Sequence, residues 1–135
     1  TAVIDVYSRY IVGWGISNSL EASESLKVVQ EAIKIHGKPE ILNSDQGTQF
    51  SCHSYVEYLK KGDIKISMDG KGRCLDNIFI ERFWRTLKYQ HIFLNPAKDG
   101  LELYLGIQKW LQRYHNRGHQ GIELKKPAEK YKLAA

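Results

Sequence analysis

Residues Ile41–Phe50 read ILNSDQGTQF. The short apolar start is β-prone, and it ends on Asp45 before Gln46-Gly47 breaks the run. An aspartate at that position has two readings. Asp and Gly are common where a strand turns, so Asp45 can simply shape the turn. It can equally be a carboxylate held at the rim of a sheet, because ligands of open α/β sheets gather outside the carboxyl ends of strands. The second reading requires a partner elsewhere in the chain.

The flanking sequence alternates strand and helix signals. TAVIDV and YIVGWGIS are β-rich segments separated only by YSR, short enough for an antiparallel hairpin with Asp5 at the end of its first strand. SNSLEASESLKVVQEAIKIHGKP predicts a helix with Ala22, Leu26, Val29 and Ile33 on one face, acidic residues in its first turn, and Gly37 and Pro39 as its stop. EILNSD then predicts a short buried strand parallel to a neighbour. SCHSYVEYLKKG predicts a second helix closed by Gly62, and IKISM a half-exposed strand. DGKGRCLDN is glycine-rich and basic, and it reads as a mobile loop without P-loop spacing. NIFIERFWRTLKYQ predicts a third helix capped by Asp76 or Asn77, with Ile80, Phe83, Trp84 and Leu87 as a buried stripe. A fourth helix over 101–114 buries Leu103, Ile107, Trp110, Leu111 and Tyr114. A hairpin followed by alternating helix and strand predicts an α/β architecture, a mixed sheet flanked by helices.

Composition excludes several classes. The 135 residues are 42% hydrophobic, enough for one globular core, and no apolar run approaches the length of a membrane span. Cys52 and Cys74 are too few for a disulfide scaffold and fit a reducing cytoplasm. With His115 and His119 they also lack zinc-ligand spacing. The chain begins inside an apparent strand and without Met, which suggests a fragment of something longer. Charge is uneven: residues 1–81 carry a net −2 and residues 82–135 a net +7. A basic half beside a slightly acidic one suits a polyanion partner with a separate carboxylate site, or else a solvated basic helix.

Glu81 is the candidate partner of Asp45. It lies beside the third helix's buried stripe, with Arg85 and Lys88 at i+4 and i+7 on the same edge. A carboxylate at a helix start can bind a metal while the following cations hold phosphates. The same spacing also fits an ordinary Glu81–Arg85 surface ion pair.

NSDQGTQF and DNIFIERFWRTLK, with thirty-five residues between Asp45 and Glu81, resemble the catalytic core shared by bacterial insertion-sequence transposases and retroviral integrases. VIDVYSRYIVGW, SMDGKGRCLDN and the tail YHNRGHQGIELKKPAEKY look like the transposase branch. The resemblance implies a ribonuclease-H-like fold, a catalytic triad of two Asp and one Glu, and a basic residue seven positions after the Glu, which Lys88 fills. Asp45 is then the second catalytic aspartate and Glu81 the glutamate, both catalytic and both metal ligands for Mg²⁺ or Mn²⁺, with two ions in a complete site. Asp5 resembles the aspartate that opens the hairpin turn, not the first catalytic one. The chain is accordingly expected to lack its first strand and to comprise a truncated core over 1–116 and a basic tail over 117–135. Arg82, Arg85, Lys88, Arg113, Arg117, Lys125 and Lys126 are the expected phosphate contacts. His115 and His119 are expected to cap or pack the last helix near DNA, and Trp14, Trp84 and Trp110 to belong to the core. The implied activity is DNA strand cleavage and strand transfer in the bacterial cytoplasm, at the nucleoid. The implied partners are transposon ends, target DNA and further copies of the chain, with no membrane and no small-molecule substrate. A nuclease that only hydrolyses, or a remnant that only binds DNA, would share many of these features.

Overall fold

The computed structural model describes residues 1–68 and 77–134. The expected loop at 69–76, with Cys74 and the candidate cap Asp76, lies outside the described residues. Among the described residues there are four strands: β1 Ala2–Ile4, β2 Ile11–Trp14, β3 Ile41–Ser44 and β4 Lys65–Met68. Six α-helices accompany them: α1 Ala22–His36, α2 Thr48–Ser51, α3 His53–Lys61, α4 Ile78–Leu87, α5 Gly100–His115 and α6 Pro127–Ala134. A π-helical turn spans Lys88–Ile92 and a 3₁₀ turn Gln120–Ile122.

Both kinds of strand pairing occur, in two two-stranded sheets. β1 and β2 form an antiparallel hairpin, with reciprocal bonds between Thr1 and Gly15 and an Asp5 N–H donated to the Tyr10 carbonyl at 2.8 Å. β3 and β4 pair in parallel, Ile41 opposite Lys65 through Ser44 opposite Met68, as expected of a strand followed by a helical crossover.

The chain divides into two compact units, residues 1–3 with 13–78, and residues 4–12 with 79–135. In the first unit, Val29, Tyr55, Leu59 and Ile64 form a buried cluster, packed about by Val3, Leu26, Leu42, Phe50, Cys52 and Ile66. The expected apolar face of α1 supplies Val29 to it. Gly37 stops α1 with φ +89°, a conformation that favours glycine, and its N–H bonds to the Ile33 carbonyl.

The expected second helix starts at His53 instead of Ser51, and an extra helical turn, α2, precedes it. Cys52 is extended (φ −68°, ψ 150°) and separates α2 from α3. In a continuous helix, residues 50 and 52 would point about 200° apart. The break lets Phe50 and Cys52 pack on the same cluster, where the Phe50 ring meets Tyr55 edge-on at 5.4 Å.

The second unit is built on aromatic contacts. Phe83 and Leu87 are buried on α4, while Ile80 and Trp84 are only half-buried, so the predicted stripe is narrower than its periodicity suggests. Phe83 meets Trp110 and Tyr114 of α5, and Ile107, Trp110 and Leu111 complete the core. Asp99 caps α5 by accepting the Glu102 N–H at 2.8 Å. Two features escape the sequence pattern. The third helix ends at Leu87 instead of continuing through Gln90, and the π turn swings His91 inward against Gly106, where any side chain would meet the imidazole at 2.8 Å. The basic tail contains α6, which starts on Pro127, a residue suited to the first helical position.

Candidate active site

β3 delivers Asp45. Leu42 packs on the first unit's core and Ser44 is buried, so the strand is held to its last residue and Asp45 is the first side chain to emerge exposed. Its Oδ1 accepts the Gly47 N–H at 2.7 Å, an Asx turn that fixes the carboxylate's direction. A Cβ at Gly47 would fall 2.8 Å from that oxygen, so glycine there keeps space for the acid. The turn uses one oxygen; among the described residues no bond reaches Oδ2. The turn reading and the working-carboxylate reading are therefore compatible.

Glu81 stands in the first turn of α4, where the helix dipole favours a negative charge. It is exposed, as are Arg85 and Lys88, while Phe83 and Leu87 fix the opposite side of the helix. Among the described residues Glu81 forms no ion pair, so the Glu81–Arg85 surface bridge is not made. Arg85 instead lies with its guanidinium carbon 6.0 Å from the Tyr89 ring centre. Lys88 follows at i+7 as the first residue of the π turn.

Asp5 behaves as a turn residue. Its Oδ2 accepts both the N–H and the hydroxyl of the fully buried Ser8, which closes the hairpin. Among the described residues no group of three or more His, Cys, Asp or Glu could hold a metal ion.

The remaining candidates separate by environment. Arg82, Arg113 and Arg117 are exposed. Lys125 and Lys126 are also exposed, but they sit beside carboxylates, at 3.6 Å from Glu123 and 3.1 Å from Glu129. Pairs of that kind are worth about 0–1 kcal/mol and do not hinder exchange for a phosphate. His119 caps the 3₁₀ turn, its Nδ1 accepting the Gly121 N–H at 3.1 Å. His115 is a packing residue: its ring stacks on Tyr10 at 3.8 Å and its Nε2 accepts the buried Ile11 N–H at 3.1 Å. Trp110 is buried, whereas Trp14 and Trp84 are half-buried. Burial pushes the Tyr114 phenol up to about 12, and its hydroxyl donates to the Arg9 carbonyl. Arg9 is the residue that sequence reading passes over. Its left-handed backbone (φ +64°) is the only sign of it, and that is invisible in the sequence.

Burial lowers the His115 pKa to about 4. The unfolded imidazole titrates near about 6.5. Between these values the unfolded chain binds more protons, so stability is complete above the higher value and declines as pH falls toward the lower. His91 and His119 are also shifted down, burial first, and act in the same direction. The melting temperature is expected to fall between pH 6.5 and pH 4. His115→Phe should flatten part of that slope while costing about 1–3 kcal/mol at pH 7, because the Ile11 N–H loses its acceptor. Calorimetry across this range is the check.

The chain matches the family described as Integrase core domain over residues 1–74, and a second family of the same description over residues 62–127. The chain belongs to the integrase core family. It is 34% identical over 138 aligned residues to the transposase for insertion sequence element IS904 of Lactococcus lactis, covering 95% of this chain and 53% of that protein. To transposase InsF for insertion sequence IS3A of Escherichia coli it is 34% identical over 92 residues, covering 67% of this chain and 32% of that one. The chain thus spans about a third to a half of these relatives. Among solved structures, the HTLV-2 integrase catalytic core domain in complex with magnesium matches with a TM-score of 0.71 at 20% identity, covering 95% of this chain and 80% of that one. The simian T-cell lymphotropic virus intasome, in complex with PP2A regulatory subunit B56 gamma, matches with a TM-score of 0.78 at 16% identity, covering 96% and 46%. The fold is that of an integrase catalytic core, ribonuclease-H-like as expected.

Proposed function

We propose that this chain is the catalytic core of a bacterial insertion-sequence transposase, acting on DNA by metal-dependent strand cleavage and strand transfer. The observation that carries this reading is the setting of Asp45. It is an exposed carboxylate, aimed by its own turn, at the carboxyl end of a parallel strand. The relatives named as transposases support it, as does the thirty-five-residue separation from an exposed Glu81 that forms no ion pair among the described residues.

Asp45 and Glu81 fit a hard divalent cation, since magnesium takes a few carboxylates and keeps water and phosphate oxygens as its other ligands. When bound, such an ion activates the attacking hydroxyl and stabilises the leaving oxygen, and a pair of ions would do both at once. The protein's own part is to hold Asp45 rigid through Gly47, to keep Glu81 unneutralised at its helix start, and to offer Arg85 and Lys88 to the phosphates beside it. A homo-oligomer is part of this proposal, on the analogy of the HTLV-2 core described in dimeric and trimeric forms.

The test is an assay of the full-length transposase with Mg²⁺, a labelled transposon-end duplex and a target duplex. Joined product supports the proposal. Nicking without joining means a hydrolytic nuclease, and no processing means a binding remnant. Lys88→Ala should weaken duplex binding by about an order of magnitude at 0.1 M salt and reduce the salt slope by about 1, as loss of one phosphate contact does. Unchanged affinity and slope in fluorescence anisotropy would leave Lys88 merely solvated.

A further inference from the structure

The second unit brings Arg9 and His119 together beside Gly121, with Arg82 close enough to act on the charge of both. Arg9 sits in the hairpin turn in a left-handed conformation that glycine or asparagine would adopt at lower cost. Its guanidinium lies over Phe79, with Cζ 3.8 Å from the ring centre. Arg82 follows Phe79 by three residues and so shares its face of α4. A side chain at Gly121 would fall 3.2 Å from the His119 ring and 3.8 Å from Arg9 Nε, so glycine leaves the space before both groups open.

Among the described residues this cluster makes no direct ion pair, and its acidic neighbour is Asp5. The Asp5 carboxylate is committed to Ser8. After burial, Arg9 and Arg82 lower the His119 pKa; Arg9 itself is shifted down by burial first, with Tyr114 and Asp5 favouring its charged form and Arg82 opposing it least. Since His119 Nδ1 accepts the Gly121 N–H, its hydrogen is on Nε2, which is then free to donate. A planar guanidinium, a second guanidinium and a neutral N–H donor together suit the oxygens of a phosphate.

We propose that Arg9, Arg82 and His119 form a built site for one backbone phosphodiester of a DNA strand. This rests on reading the chain as a DNA-acting core, and it adds Arg9 and His119 to the exposed cations already considered.

The experiment measures anisotropy of a labelled mixed-sequence duplex across a salt series, together with the NMR pH titration of the His119 ring with and without duplex. The variants are Arg9→Gly, which suits the left-handed turn and should fold, and Arg82→Gln on an exposed helix face. Each should lose about an order of magnitude in affinity at 0.1 M salt and about 1 in salt slope, as a slope near −0.9 per contact implies. Duplex should raise the His119 pKa in the wild type, because the phosphate offsets the two guanidiniums, and should do so less in either variant. Wild-type affinity in both variants, with Lys88→Ala impaired, would overturn the site while leaving the DNA-acting reading intact. A wild-type chain that binds no duplex at low salt would overturn both.

Discussion

Asp45→Asn and Glu81→Gln, made singly in the full-length transposase, are each expected to reduce strand joining at least a thousandfold. Each amide keeps the shape of the acid and removes its charge. Asparagine at position 45 can still accept the Gly47 N–H through its amide oxygen, so the turn should persist. Both side chains are exposed, and neither supports the core. What is lost is charge stabilisation at the reacting phosphate, several kcal/mol in metal-assisted reactions, and about 4 kcal/mol corresponds to three orders of magnitude in rate. Duplex binding should stay within about threefold, because the phosphate contacts come from cations that these changes do not touch. Gel assays of joining in Mg²⁺ provide the rate, and joining within tenfold of wild type by either variant would remove that residue from the site.

Leu59→Ala should be the most damaging single truncation of the first unit. Leu59 is 0% exposed, at the centre of the cluster with Val29, Tyr55 and Ile64. Removing its outer atoms loses transfer energy and leaves a cavity, a combined cost of about 2–5 kcal/mol. That is a large part of the stability of a typical domain, about 5–15 kcal/mol. Leu42 of β3 packs on the same cluster, so the strand that carries Asp45 should loosen as well. Leu20, at 93% exposure, is the matched control, and Leu20→Ala should stay within about 0.5 kcal/mol. Urea unfolding compares the two; equal midpoints would contradict the placement of the core.

Much of this was legible in the sequence because it was local. The hairpin, α1 and its glycine stop, the parallel pairing of β3 and the Phe83–Leu87 anchor all follow from periodicity and turn chemistry. What the sequence hid was set by tertiary packing. The helical turn α2 ahead of Cys52 carries no clear signal, yet the core takes residues 50 and 52 on one side, and the next helix starts only at His53. The π turn after Leu87 likewise follows from His91 packing on Gly106, a contact between segments far apart in the chain. Periodicity also overstated the burial of Ile80 and Trp84. Asp45 was ambiguous until a second motif at the right distance gave it a partner. Arg9 had no such motif, because its importance lies in a backbone angle.

The central proposal is that Asp45 and Glu81 are metal ligands, and Mn²⁺ titration of the isotopically labelled chain tests it most directly. Paramagnetic broadening should first erase the amide signals around residues 44–47 and 80–82, together and at the lowest Mn²⁺ concentrations. Asp45→Asn should protect the signals around 44–47, and Glu81→Gln those around 80–82. Broadening that either variant leaves unchanged, or that spreads evenly over every surface carboxylate, would contradict the proposal.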